Sequence, residues 1–362
     1  MKNIFVVNSI YHTLTAFILT HSIFKNDENY LVIMRPPKFE TWKNNEILKY
    51  ISSKECGYKD VFILLDWLMS KNRSQTYKKQ VQYVEENIKV LNIDNVFIGV
   101  DTSIPNQLFV EAIGKDSFYR IEDGMYSYFN GTRRRKKSHA IFHKIKAYLL
   151  KWACGIKGSM YLNTEAEGEN PAGLIDYMYK PWLLERKSNK TQEITDEMIN
   201  QALQDLSFHQ LLKETLKENS ILYLSQPMVE MGKFTIEQEA QCLENIVKSF
   251  NEEITLYYKP HPHDNPDKIK YYKDNFKWIE IYDGAEPAEL MFVSNPKLKA
   301  VISYQSSALM NVDKFAKTNI KAVSLADLLK VEIHPVYRNM MKKAGVIFYN
   351  DGLYNEVRHL EK

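Results

Sequence analysis

Cysteine is scarce in this chain of 362 residues. The three cysteines, Cys56, Cys154 and Cys242, are far apart and odd in number. That pattern fits neither a disulfide framework nor the ligand spacing of a zinc site. We therefore expect a cytoplasmic protein that keeps its thiols reduced.

Long apolar runs are also missing. No run reaches the roughly 18 residues that a membrane-spanning helix needs, so none is predicted. The opening stretch MKNIFVVNSIYHTLTAFIL is apolar, but Asn8, Ser9, Tyr11 and His12 interrupt it and no small-residue cleavage site follows. A signal peptide is therefore not expected.

The chain has little net charge and lacks the common phosphate-loop motifs. Its 48 Lys and Arg residues against 45 Asp and Glu residues give a formal charge of +3, which does not indicate a nucleic-acid partner. Neither G-x-G-x-x-G nor G-x-x-x-x-G-K-[ST] occurs, so the usual dinucleotide and P-loop signatures are absent.

What the sequence does contain is an alternation of short apolar runs with amphipathic stretches, which is typical of parallel α/β sheets. The strand-like runs are NIFVVN, YLVIMR, DVFILL, NVFIGV, SFYRIED, SILYLSQP, ITLYYKP, WIEIYD, AVISYQS and IKAVSL. The pattern predicts two Rossmann-like domains, residues 1–190 and 215–362, joined by a polar linker at 190–215. Ligands of such sheets bind beyond the carboxyl ends of the strands.

The first candidate site follows the strand-like run SFYRIED. Glu122 and Asp123 precede Gly124, whose lack of a side chain permits a tight turn with positive φ. Adjacent carboxylates point in different directions, so one of the two would face a cleft and act as a general base. An ordinary Asp-Gly turn explains the same residues.

The second candidate site is the stretch YKPHPHD after another predicted strand. Pro260 and Pro262 restrict the backbone on both sides of His261, which predicts a stiff loop that presents the imidazole. A histidine so placed can bind or protonate a leaving phosphate. His263 makes a metal site conceivable, but no third ligand is nearby in the sequence. A solvated, histidine-rich turn is the alternative.

The third candidate site is AVISYQSSAL, where Ser306 and Ser307 follow a strand and begin a helix. Serine there is first a helix cap, and its hydroxyl together with free N–H groups can also hold a phosphate. Glu286 follows a further strand, where it can accept hydrogen bonds from a ribose or a base or simply compensate the helix dipole. Ser225 lies at another strand end.

Taken in order, IEDG, KPHP and YQSSAL resemble the three short motifs of bacterial sialyltransferases and polysialyltransferases. The opening NIFVVNSIYHTLTAFIL also resembles the N-terminal strand, loop and helix of the lipooligosaccharide sialyltransferase family, glycosyltransferase family 52. The resemblance implies a GT-B architecture, with two Rossmann-like doubly wound domains that face an interdomain cleft. It also implies an inverting transferase that moves sialic acid from CMP-sialic acid to a glycan hydroxyl.

Carried onto this sequence, the resemblance implies that Glu122 or Asp123 is the catalytic base and His261 the acid or cation at the phosphate. Alternatively, the acidic residue comes from the strand end that is SQPMVE here, as in related enzymes, where Glu230 is the nearest carboxylate. The donor-binding residues implied are Lys259, Pro262, Glu286, Ser306, Ser307 and Ser225. A monophosphate leaving group can be stabilised without a metal, so we expect neither a metal nor a bound cofactor.

Two other functions stay open at this point. Transferases that use CMP-Kdo or CDP-glycerol resemble the chain at the same positions. A non-catalytic protein that binds a polysaccharide would also keep the cleft. The expected partners are therefore CMP-sialic acid and a glycan acceptor, such as lipooligosaccharide or capsular polysaccharide, and oligomeric state is left open.

One basic stretch stands out, GTRRRKKSHAIFHKIKAYLLKWACGIKG. A basic amphipathic helix can lie on an anionic membrane, so residues 133–152 predict peripheral contact with the cytoplasmic face of the inner membrane. An acidic polymer would suit the same charges. Alternatively, a lysine-rich helix would turn its apolar face onto the protein core.

Overall fold

The computed structural model divides the chain into two compact units, Met1–Leu211 and Leu212–Lys362. Each unit is a parallel β-sheet with helices in its connections, which confirms the predicted α/β class. Among the residues described, no helix is long and apolar enough to cross a membrane. The described residues are 1–34, 44–64, 73–129, 137–156, 167–185, 190–212, 216–250 and 253–349.

The first unit contains a seven-stranded sheet in which all the described strand pairs are parallel. The strand order is β3-β2-β1-β4-β5-β6-β7. The loops after β1, β4 and β5 therefore lie side by side at one edge. The strands are β1 Lys2–Val7, β2 Glu28–Met34, β3 Asp60–Leu64, β4 Asn95–Ile98, β5 Phe118–Ile121, β6 Gly173–Met178 and β7 Lys190–Glu193.

Helices connect these strands. The described α-helices of the first unit are Ile10–Thr20, Glu46–Ile51, Arg73–Asn87, Ile104–Ala112, Met125–Tyr128, Lys137–Ala153, Asp196–Leu203 and Leu206–Leu211. Short 3-10 helices occur at Lys54–Cys56, Lys89–Leu91 and Pro181–Leu183. The helix that follows β1 begins after Ser9, whose side chain accepts a hydrogen bond from the His12 amide, so the cap fixes where the first loop ends.

The second unit contains a six-stranded parallel sheet. Its strand order is β10-β9-β8-β11-β12-β13, so the loops after β9, β8 and β11 are neighbours. The strands are β8 Ser220–Leu224, β9 Thr255–Lys259, β10 Ile279–Ile281, β11 Leu298–Ser303, β12 Lys321–Ser324 and β13 Ile347–Phe348. The described helices are Ile236–Lys248, Pro266–Asn275, Ala288–Ser294, Val312–Phe315, Pro335–Lys343 and the 3-10 helix Ser307–Asn311.

The central strands are buried along almost their whole length. In β1 the four residues from Ile4 to Val7 are fully buried, and in β8 all five residues are buried. Parallel strands covered on both faces read as continuous apolar runs rather than as alternating ones. This is why the sequence pattern located them.

Residues 190–211, expected to form most of a linker, are instead part of the first unit. Strand β7 extends its sheet by pairing with β6, and two helices follow. Tyr50 donates a hydrogen bond of 2.8 Å to Asp205, and Phe208 is fully buried. The polar composition indicated a linker because an edge strand, paired on one side only, needs no apolar run. Residues 213–215 lie outside the described part of the chain.

A buried ion pair joins β5 to β6 in the first unit. Arg120 donates from Nε and Nη2 to the two carboxylate oxygens of Asp176, at 3.1 Å each, and both side chains are 1% exposed. Burial alone would lower the pKa of Arg120, but the charges of Asp176 and Asp101 raise it above its usual value. The guanidinium therefore stays charged and neutralises carboxylates inside the core.

We expect Arg120→Ala to lower the free energy of unfolding of the first unit by about 3–5 kcal/mol, because it leaves buried carboxylates without a counter-charge. Urea denaturation followed by circular dichroism measures this loss. The double variant R120M/D176L removes both charges and should lose less than the single variant. An Arg120→Ala loss no larger than that of the double variant would contradict this account.

Candidate active site

The loop after β1 positions a buried histidine. His12 lies in the first helical turn after the Ser9 cap and is 1% exposed. Its Nδ1 accepts a hydrogen bond of 3.3 Å from the Asn8 amide, so the neutral ring carries its proton on Nε2. His12 Nε2 lies 2.8 Å from Oδ1 of Asp123, which follows β5. The structure thus pairs the sequence-predicted Asp123 with a histidine that motif analysis did not assign to a site.

Asp123 is held in place and remains partly accessible. Its amide donates a hydrogen bond of 2.7 Å to the Ser127 hydroxyl, and its side chain is 26% exposed. Gly124 adopts φ 64° and ψ −143°, a conformation that a side chain would strain, so the chain turns sharply before the short helix Met125–Tyr128. The turn separates the directions of the two neighbouring carboxylates.

Glu122, by contrast, is buried and fully engaged. Its Oε1 accepts a hydrogen bond of 2.7 Å from the Tyr11 hydroxyl. Its Oε2 accepts hydrogen bonds from the Tyr128 hydroxyl and, at 2.9 Å, from the Tyr179 amide. With 1% of its surface exposed, this carboxylate ties the loop after β5 to the first helix and to the end of β6. Asp123 is therefore the member of the pair that a substrate reaches more easily.

Gly99, which follows β4, leaves room for the imidazole. A β-carbon added at Gly99 would lie 2.2 Å from Cε1 and 2.3 Å from Nε2 of His12, far inside van der Waals contact. Because β4 lies next to β1 in the sheet, Gly99 lies directly beneath the His12 ring.

The second candidate site, the loop after β9, orients His261. His261 Nδ1 accepts a hydrogen bond of 3.1 Å from the His263 amide, which leaves the proton of the neutral ring on Nε2. The His261 amide donates a hydrogen bond of 2.9 Å to Oδ2 of Asp264. Pro262 is exposed between the two histidines. The ring is thus prepared to donate from Nε2.

A buried polar network supports this loop from beneath. Lys268, 3% exposed, places Nζ 3.2 Å from Glu239 Oε2, 3.5 Å from Asp264 Oδ1 and 3.3 Å from Ser225 Oγ. Tyr258 donates a hydrogen bond of 2.9 Å to Asp264 Oδ2 and lies 2.7 Å from the Ser225 hydroxyl. Ser225 is therefore a member of the network under the loop, rather than a side chain presented at the surface.

Glu239 is the anionic centre of this network and is fully buried. Its oxygens accept hydrogen bonds from the hydroxyls of Tyr223 at 2.6 Å, Tyr272 at 2.7 Å and Tyr304 at 3.3 Å. Burial and this carboxylate raise the pKa of all three tyrosines, so they stay protonated donors. The loop with His261 thus packs on a buried, hydrogen-bonded polar network.

Lys259, the last residue of β9, points its ammonium group at the loop after β10. Its Nζ donates a hydrogen bond of 2.8 Å to the Gly284 carbonyl and lies 5.0 Å from the centre of the Tyr282 ring. Burial lowers the pKa of Lys259 to about 8, and the charges of Glu286 and Glu289 partly offset that effect. Glu286 is 8% exposed and accepts a hydrogen bond from the Tyr282 hydroxyl.

The paired serines follow β11. Ser306 Oγ accepts a hydrogen bond of 3.3 Å from the Ala308 amide, and both serines are half-buried. The element that they begin is a five-residue 3-10 helix, so the dipole contribution expected from an α-helix is small. Next to them, the Gln305 amide donates a hydrogen bond of 2.8 Å to the Gln226 side chain, which links the ends of β11 and β8.

Within each unit the predicted residues gather at one sheet edge. In the first unit Asp123 lies against His12, and Glu122 accepts a hydrogen bond from the adjacent Tyr11. In the second unit the predicted residues follow the neighbouring strands β8, β9 and β11, and Glu286 is linked to Lys259 through Tyr282. Glu230 accepts a hydrogen bond of 2.8 Å from the Asn265 amide, so it supports the histidine loop. The described residues contain no group of three or more His, Cys, Asp or Glu side chains able to hold a metal ion.

The sequence motifs do not include His12, Tyr11, Gly99 or Lys268. One signal for His12 was present, since Asn8, Ser9, Tyr11 and His12 interrupt an apolar run directly after a strand, where ligand-binding loops occur. Lys268 carried no comparable signal, because a lysine in a polar helix normally faces solvent.

We expect Gly99→Ala to destabilise the first unit by about 1–3 kcal/mol, because the new methyl group overlaps the His12 ring. The cost should disappear in a His12→Ala background, where the ring is gone, and a double-mutant cycle of urea denaturation measures this coupling. Equal costs of Gly99→Ala in both backgrounds would show that the ring does not occupy this space.

Comparisons with known proteins add the family. No curated protein matches the chain in sequence. In structure it is similar to the UDP-GlcNAc 2-epimerase from Methanocaldococcus jannaschii, with a TM-score of 0.54 and 11% identity, over 99% of this chain and 92% of that one. It is also similar to the UDP-GlcNAc 2-epimerase from Neisseria meningitidis, with a TM-score of 0.53 and 12% identity, over 100% and 90% of the two chains.

The glycotransferase of kitacinnamycin is a third similar structure, with a TM-score of 0.52 and 9% identity over 99% of this chain and 90% of that one. These likenesses show the two-domain, Rossmann-like GT-B fold. In sequence, residues 3–326 match the family described as alpha-2,8-polysialyltransferase (POLYST), which confirms the resemblance seen in the three motifs. The chain therefore belongs to the alpha-2,8-polysialyltransferase family and is a glycosyltransferase of the sialyltransferase type.

Proposed function

We propose that this protein transfers sialic acid from CMP-sialic acid to a hydroxyl of a glycan acceptor, with inversion and without a metal ion. Two contacts carry the proposal. In the first unit Asp123 lies against His12, and in the second His261 accepts a hydrogen bond at Nδ1, which leaves Nε2 to donate. The family match supports sialic acid as the sugar and an α2,8-linked polymer as the product. The acceptor is then the end of a lipooligosaccharide or capsular polysaccharide.

In this proposal Asp123 is the general base. It takes the proton of the acceptor hydroxyl, and the oxygen attacks C2 of the donor sugar on the face opposite the phosphate, which inverts that centre. His12, held by the Asn8 amide, keeps the carboxylate in one orientation through Nε2. Glu122 is assigned a positioning role, because Tyr11, Tyr128 and the Tyr179 amide occupy its oxygens.

The second unit acts on the leaving group. As the bond from C2 to the phosphate oxygen breaks, His261 Nε2 donates to that oxygen, and the charge of Lys259 stabilises the anion. Ser306 and Ser307 hold the phosphate through their hydroxyls, and Glu286 lies by the cytidine. Pro262 keeps the loop stiff beside the phosphate, and Ser225 acts from beneath through Lys268 and Tyr258.

One phosphate leaves with one nucleotide, so a histidine, a lysine and two hydroxyls suffice to stabilise its charge. This is the chemical support for a metal-independent reaction. A cytoplasmic site of action is part of the proposal as well, and the three cysteines, all free and buried, suit a reducing compartment.

The direct test is release of CMP from CMP-sialic acid, measured with and without a sialylated acceptor and in the presence of EDTA. Release should be stimulated by acceptor and unaffected by EDTA. His261→Ala and Asp123→Asn should each lower the rate by about 10²–10⁴-fold. The control variants His263→Ala, in the same loop as His261, and Asp116→Asn, before β5, should keep it.

Three outcomes would change the assignment. A folded protein that releases nucleotide only from CMP-Kdo or CDP-glycerol has a different donor. Full activity in Asp123→Asn combined with loss in Glu122→Gln would transfer the base role to Glu122. Undiminished biological activity of the doubly substituted D123N/H261A protein would indicate a binding protein instead of an enzyme.

The lowered pKa of Lys259 predicts a pH dependence of donor binding. Because the folded-state pKa is about 8, the ammonium loses its charge as the pH rises through that value. We expect the affinity for CMP to fall about fivefold or more between about pH 7 and about pH 9. In Lys259→Arg, which stays charged, the fall should vanish. Isothermal titration across this range measures it, and an equal fall in the arginine variant would refute the assignment.

A further inference from the structure

The helix Lys137–Ala153 presents a large apolar face to solvent. Six of its side chains are between 55% and 72% exposed, although all are large and hydrophobic or aromatic. They are Ile141, Phe142, Ile145, Tyr148, Leu149 and Trp152. Scattered exposed apolar residues are ordinary, but a contiguous set of this size marks an interaction surface.

The spacing of these six residues puts them on one face. At about 100° per residue they fall within an arc of about 120°, and Lys144 and Lys146 border this arc on opposite sides by helical register. Ala147 lies opposite the stripe and Lys151 lies about 60° beyond its edge, and both residues are buried. An apolar stripe with a lysine at each border is the pattern of a helix that lies in a membrane interface.

The opposite face holds the helix against the protein. Ala147 is fully buried, and Cys154 and Ile156 just beyond the helix belong to the core of the first unit. Lys151 Nζ lies 2.5 Å from Glu111 Oε2, and both side chains are 3% exposed. The sequence alternative in which the apolar stripe packs on the core is therefore wrong, since the helix docks through its other side.

Charge favours one kind of partner. The helix contains four lysines and two histidines but no aspartate or glutamate, and in the sequence Arg133, Arg134, Arg135 and Lys136 come directly before it. Residues 133–136 of the predicted membrane segment lie outside the described part of the chain. A soluble acidic polysaccharide offers negative charge but no apolar phase for isoleucine, leucine and tryptophan. A bilayer with anionic lipids offers both.

We propose that the apolar stripe of six residues and its bordering lysines bind the surface of an anionic lipid bilayer. Trp152 and Tyr148 would lie at the headgroup level, with the aliphatic side chains in the acyl boundary. The helix would then hold the first unit at the membrane. This inference goes beyond the proposed reaction and does not depend on its donor or its catalytic residues.

Vesicle flotation with the full chain tests it, using phosphatidylcholine vesicles with and without phosphatidylglycerol. The wild-type protein should float with the anionic vesicles and less in high salt. Ile145→Glu and Trp152→Glu should each lower the partition coefficient about tenfold or more, and Lys146→Gln about fivefold. Val90→Glu, which changes a 64% exposed apolar residue elsewhere in the first unit, is the control and should bind as the wild type does.

Thermal unfolding checks that each variant is folded. We expect every variant to fold, since the substituted side chains are exposed. Wild-type protein that does not float with anionic vesicles overturns the proposal. So do Ile145→Glu and Trp152→Glu variants that float like the control. If the wild-type protein does not bind vesicles but binds soluble polysialic acid, and these variants lose that binding, the surface belongs to a polymer. If the variants instead lose self-association, the surface belongs to a second copy of the chain.

Discussion

Buried charge is the constraint on which both candidate loops depend. An ionised group taken out of water needs compensating partners, and here most of them come from helices that pack against the loops. In the first unit Glu122 draws donors from Tyr11, Tyr128 and the Tyr179 amide. In the second, Lys268 joins Glu239 to Asp264, and Asp264 holds the amide of His261.

If the proposed roles hold, this arrangement separates supporting residues from reacting ones. In each loop one charged side chain is buried and engaged, while its neighbour along the chain is more accessible. Glu122 is buried beside Asp123, which is 26% exposed. Asp264 is buried three residues after His261, which is half-buried. In the proposed reaction, rigid support beneath Asp123 and His261 would keep their geometry fixed, as electrostatic catalysis requires.

Much of the fold could be predicted from sequence because buried parallel strands are continuous apolar runs. All ten predicted runs contain strands, and the α/β class follows from their alternation with helices. The missed strands β6, β7 and β13 have other patterns. In β6 the buried Asp176 interrupts the apolar run. Its carboxylate can be buried because Arg120 on β5 pairs with it. Strand β7, KTQE, is a polar edge strand.

The candidate site was predictable where it lies in a short motif and not where it depends on distant partners. The motifs IEDG and KPHP pointed to Asp123 and His261, because a glycine or a proline shapes the local backbone by itself. Which of Glu122 and Asp123 is buried depends on Tyr11, which is far away in the sequence. The roles of His12 and Lys268 likewise depend on contacts between segments, which no local pattern encodes.

The central claim is that the second unit binds the leaving nucleotide while the acidic pair of the first unit acts on the acceptor. The most direct measurement is the affinity for CMP, by isothermal titration, of His261→Ala, Lys259→Met, Glu122→Gln and Asp123→Asn. The account predicts that the first two weaken CMP binding about tenfold or more and that the last two change it less than about twofold. Equal weakening by the first-unit variants, or unchanged affinity in all four, would contradict it.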